Sequence, residues 1–115
     1  MVLFLFLGTI TITSTGTQII GDTVTLTCTI SPFTGTVTWA QDGAIRTICT
    51  KSLCNIYTYG NYITFSFASS HINVTFDPVH SSIDGLWECT HSTLGSANFT
   101  VTAMNEIQSK YSLIN

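Results

Sequence analysis

Apolar and polar residues alternate with a period of two along most of the chain, and no window repeats at the 3.6-residue spacing of an amphipathic helix. After a Gly21-Asp22 turn signal, Val24, Leu26, Cys28 and Ile30 interleave with Thr23, Thr25, Thr27 and Thr29. In a strand, that places the aliphatic set and the cysteine on one face and threonine on the other. Beyond Ser31-Pro32-Phe33-Thr34-Gly35, Val37 and Trp39 share a face before a Gln41-Asp42-Gly43 turn. Residues 44–60 are less regular and read as short edge strands and loops. Alternation returns in Ile63, Phe65 and Phe67, then in Ile72, Val74 and Phe76 up to Asp77-Pro78, where proline has no N–H to give a ladder. Trp87 and Cys89 share a face, as do Phe99, Val101 and Ala103, and residues 105–115 read as tail or linker. The pattern predicts an all-β domain whose core includes Leu26, Trp39, Val74, Phe76 and Trp87.

Composition narrows this picture. The 115 residues are the length of one domain, and 44% are hydrophobic, enough for one core. Only 8% are charged, against about 25% in an average soluble domain. Much of the surface must therefore be solvated by Thr and Ser, and threonine's branched Cβ favours strands. The formal charge of -3, with no basic run, excludes nucleic acid as the expected partner. Four cysteines read more readily as two disulfides than as free thiols, which implies an oxidising, extracellular setting, secreted or at the cell surface. Residues 2–12 are apolar enough for the core of a signal peptide with a truncated start, although the usual basic residues before it are missing. The same residues, within a segment 1–16, also read as a first strand. They are too short to span a bilayer, which takes about 20 apolar residues, so a membrane anchor would lie outside this sequence.

At this point the residues resemble a known family. Gly21-Asp22-Thr23-Val24-Thr25-Leu26-Thr27-Cys28, Trp39 eleven positions on, and Asp84-Gly85-Leu86-Trp87-Glu88-Cys89 closely resemble an immunoglobulin V-set or I-set domain over about residues 17–104. The resemblance implies a two-sheet antiparallel Greek-key sandwich in which Cys28 on strand B is bonded to Cys89 on strand F across Trp39 on strand C. Sixty-one positions between the cysteines leave room for extra strands, which favours a V-like or intermediate form. A bond closing so long a loop stabilises by roughly 4 kcal/mol in the chain-entropy model. The family usually has a tyrosine two positions before the second cysteine, its hydroxyl bonded back to the turn between strands E and F. Here that residue is Trp87, and the corner is expected to be held by its bulk rather than by its N–H, with Asp84 and Gly85 shaping the turn. The aspartate–arginine pair of many V-set domains is not carried over, because Arg46 stands too early.

Cys49 and Cys54 lie close enough in sequence to bridge a hairpin-like loop, within the usual Cα span of about 4.4 to 6.8 Å. The same spacing suits two zinc ligands, but Cys28 and Cys89 are taken up in the core and a structural zinc site wants four ligands. A second disulfide is therefore expected, and neither metal nor cofactor. A C-x4-C bridge in this region also resembles Ig-like domains of molluscan and other invertebrate receptors. Asn73-Val-Thr75 and Asn98-Phe-Thr100 match the N-glycosylation pattern, and alternation places both asparagines on outer faces.

His71, His80 and His91 are spaced too widely for neighbouring turns of one element, and no G-x-S-x-G motif is present, so no catalytic residue is assigned. What the resemblance implies is a recognition, adhesion or immune module binding a protein or glycan. Candidate contacts are residues 31–36, 49–59 and 91–97, with Tyr57, Tyr59 and Tyr62 as amphipathic rings of the kind enriched in binding surfaces, or as cover for the sandwich edge. A spacer between neighbouring Ig domains of a larger ectodomain fits the sequence as well.

Overall fold

The computed structural model describes residues 8–31, 34–50, 53–56, 62–68, 70–105 and 107. The strands are β1 (Thr9–Gly16), β2 (Val24–Ser31), β3 (Val37–Gln41), β4 (Ala44–Cys49), β5 (Cys54–Ile56), β6 (Ile63–Ala68), β7 (His71–Phe76), β8 (Gly85–His91) and β9 (Gly95–Val101). They form a four-stranded sheet in the order β1-β2-β7-β6 and a five-stranded sheet in the order β5-β4-β3-β8-β9. All pairings between these strands are antiparallel. Two-faced strands bury their apolar side only if a second sheet covers it, and that demand sets the architecture.

The core follows the alternation. Val24, Leu26, Cys28, Ile30, Val37, Trp39, Ile72, Val74, Phe76, Trp87 and Cys89 are fully buried, each large aliphatic or aromatic one contributing about 1.5–3 kcal/mol. Trp87 stands edge-on to Trp39 and to Phe76, with centroids 6.3 and 5.0 Å apart, the offset geometry that aromatic quadrupoles favour. Cys28 and Cys89 are bonded between the two sheets with Cα atoms 6.4 Å apart, and Trp39 lies directly across the β3–β8 pair from Cys89. The indole Nε1 of Trp39 is buried without a hydrogen-bond partner among the described residues.

The sheet begins before residue 17. Thr9–Gly16 pairs along its whole length with β2, which is the strand reading of that segment, while residues 1–7 lie outside the described residues. After β1 the chain leaves its pairing with β2. Gly16, at φ +99°, makes the step, and a Cβ there would sit 2.2 Å from the carbonyl oxygen of Thr23. Ile19 then bridges Met104 in parallel, with Ile20 N donating to Met104 O (2.7 Å) and Met104 N to Gln18 O (2.8 Å). This contact ties the first segment to the chain just beyond β9.

The corner before β8 corrects the expectation of bulk alone. The indole N–H of Trp87 donates to Ile83 O at 2.8 Å, so tryptophan does by nitrogen what tyrosine would do by its hydroxyl. Asp84 serves the corner by accepting from the backbone N–H of Ala103. Gln41, expected in a turn, instead ends β3 pointing inward: its amide donates to Ser82 O (2.8 Å) and Asp84 O (2.7 Å), and its Oε1 accepts from Arg46 (2.6 and 3.0 Å). Arg46 thus reaches the corner through an amide relay and not through a carboxylate.

Candidate functional site

Three of the segments singled out in the sequence meet at one end of the sandwich. Val37, the first residue of β3, pairs with His91 at the end of β8 on one side and with Cys49 at the end of β4 on the other. The tips joining β2 to β3, β4 to β5 and β8 to β9 therefore emerge side by side.

Each tip is fastened. Cys49 and Cys54 face each other in the β4–β5 register and are bonded, with Cα atoms 4.0 Å apart, slightly under the usual span. Their sulfurs are therefore not metal ligands. Thr50 N donates to Leu53 O (2.8 Å), and Leu53 projects from the hairpin 58% exposed. His91 fastens the other two tips. Buried to 3% exposure, it accepts at Nδ1 from the amides of Thr93 and Leu94, both at 3.1 Å. Its Nε2 bonds the carbonyl of Thr34, which requires the tautomer with the proton on Nε2. Ser92 N donates to Thr36 O at 3.0 Å, a second tie between the same tips.

The segment 91–97, expected as a loop, is consequently a three-residue turn, Ser92–Leu94, between β8 and β9. The cause is His91: its ring replaces solvent as partner for the turn amides and lets the ladder run to the strand ends. Its burial was the feature that sequence reasoning missed. Phase carried the signal, because His91 follows Trp87 and Cys89 at intervals of two.

The tyrosines separate. Tyr57 and Tyr59 lie outside the described residues. Tyr62 stands away from the fastened tips. Its hydroxyl bonds Ser82 Oγ at 2.6 Å and its ring lies 5.3 Å from that of His80, so it covers the corner before β8. His71 and His80 are engaged locally, with Thr29 and Ser82, and do not join His91. Among the described residues, no group of three or more His, Cys, Asp or Glu would hold a metal ion, and no helix is long and apolar enough to cross a membrane. The described residues of the three tips (Ser31, Thr34, Gly35, Thr36, Thr50, Leu53, Ser92, Thr93 and Leu94) carry no charge. The described residues of this end offer hydroxyls, backbone groups and two leucine side chains, the exposed Leu53 and the half-buried Leu94, which suits contact.

No protein-family model and no curated protein matches the sequence. Solved structures do. An Ig-like domain from human cDNA aligns with a TM-score of 0.57 and 20% identity, over 76% of this chain and 66% of that one. The Ig-like domain 714–804 of human obscurin-like protein 1 aligns with a TM-score of 0.58 and 19% identity, over 85% and 88%. A marsupial T cell receptor aligns at 0.57 and 20%, over 86% of this chain and 35% of the receptor chain. This chain thus spans just under two thirds of the first and about a third of the receptor. The narrower likeness to molluscan domains rests on the Cys49–Cys54 spacing alone. Sheet order, the Cys28–Cys89 bond over Trp39 and these likenesses agree: the chain has the immunoglobulin-like fold, with the strand order of the V type.

Proposed function

We propose that the chain is an extracellular recognition module that binds a protein or glycan through the end formed by the β2–β3, β4–β5 and β8–β9 tips. The observation that carries this is the double pairing of Val37 with His91 and Cys49, which gathers three tips, one closed by the Cys49–Cys54 bond and two tied together by His91. Tips fixed in advance lose little conformational entropy on binding, so contact energy goes into affinity. Two disulfides support an oxidising, extracellular setting. The test is binding of the multimerised domain to a panel of cell surfaces and to a glycan array, with Leu53→Asp and Thr93→Lys at the tips and Ile20→Asp at the far end. Loss for the tip variants with retention for the far-end variant is expected. Equal binding by all of them would refute the assignment.

A spacer role is the second reading, and one observation favours it. β1 starts beside Ser31 at the tip end, whereas the Ile19–Met104 bridge lies at the other, so chain neighbours would extend in line. Under that reading the multimer binds nothing, and all variants behave alike.

A further inference from the structure

The two glycosylation sequences stand on opposite outer faces. Asn98 is exposed on β9, across from Glu88, with Thr100 across from Leu86. Asn73 lies in the middle of the other sheet, between Thr27 of β2 and Ser66 of β6. It is half-buried, less open than alternation implied, because neighbouring strands flank it on both sides. Its covered end is Oδ1, which is buried without a hydrogen-bond partner among the described residues. That leaves Nδ2, the atom to which an N-glycan is attached, as the outward end of the amide.

Both faces carry little of the charge that usually keeps a sheet face solvated, and beside Asn98 it comes from Glu88. Around Asn73 the register aligns rows of hydroxyls, Thr15-Thr25-Thr75-Thr64 and Thr13-Thr27-Asn73-Ser66, with no charged side chain in either. On the opposite face Leu86 and Ile45 remain 42% and 50% exposed, and Leu86 is a diagonal neighbour of Asn98 across β8–β9. Weakly charged faces with exposed aliphatic side chains invite association unless something covers them.

We propose that Asn73 and Asn98 both carry N-linked glycans, one on the outer face of each sheet, which solvate the faces and leave the tip end as the open surface. The proposal rests on the extracellular reading given above. The test uses the full chain, secreted from a eukaryotic cell line behind a heterologous leader, so it reads the acceptor sites independently of the chain's own targeting and of any ligand. Peptide mass spectrometry after amidase treatment in isotopically labelled water should find labelled aspartate at positions 73 and 98. Thr75→Val and Thr100→Val, which keep a β-branched residue in the strand, should each remove one step of gel mobility. Asparagine left unmodified at either position of the folded, secreted protein would overturn the two-face assignment, whatever the binding screen reports. A mobility step that survives the matching variant would overturn it as well.

Discussion

Replacing His91 by phenylalanine keeps a ring in the buried site and removes only its polar edge. Three backbone groups lose their partner: the carbonyl of Thr34 and the amides of Thr93 and Leu94, the last two now at 3.1 Å from Nδ1. A hydrogen bond contributes about 0.5–1.5 kcal/mol net, and the two amides share one lone pair, so the sum is about 2–3 kcal/mol. For a domain of this size that lowers Tm by about 10–20 °C. Urea unfolding measures the total, and amide hydrogen exchange locates it. Protection at Thr93 and Leu94 should fall well beyond that at Trp39 and Cys89, which lie deeper in the sheet. A loss under about 0.5 kcal/mol, or unchanged protection at the two turn amides, would refute the role given to the ring.

Trp87→Phe should cost about 1–3 kcal/mol in urea unfolding, because Ile83 O loses its 2.8 Å donor in a buried place. Gly16→Ala should destabilise more than Gly85→Ala in the same assay. The added Cβ at Gly16 meets the backbone oxygen of Thr23 at 2.2 Å, whereas at Gly85 it meets the side-chain carboxylate of Asp42 at 2.3 Å, which can swing away. Paired Cys49→Ser and Cys54→Ser should cost about 2 kcal/mol, and paired Cys28→Ala and Cys89→Ala about 4 kcal/mol, if loop closure dominates. Calorimetry on the two variants would decide between that order and its reverse.

Strands with one face buried were legible because burial on one side imposes a period of two, and β2, β3, β7 and β8 carry it cleanly. The same phase also contained Gln41 and His91, two polar residues in inward positions after Val37 and Trp39, and after Trp87 and Cys89. Their polarity argued for turns, yet each buries its side chain by satisfying backbone groups at a strand end. The end of β1 at Gly16 and the Ile19–Met104 bridge after it left no periodic trace, since they depend on one glycine conformation and on a distant partner. The gathering of the three tips was equally hidden. It arises from pairing across both edges of β3, which joins residues far apart in the chain.

Disulfide mapping of the folded protein, produced behind a heterologous leader, tests the sandwich most directly. Cleavage after Arg46, Lys51 and Glu88 puts Cys28, Cys49, Cys54 and Cys89 on four separate peptides, so every pairing yields a distinct linked mass. The fold requires Cys28 with Cys89 and Cys49 with Cys54. Cys28 linked to Cys49 or to Cys54 would contradict it.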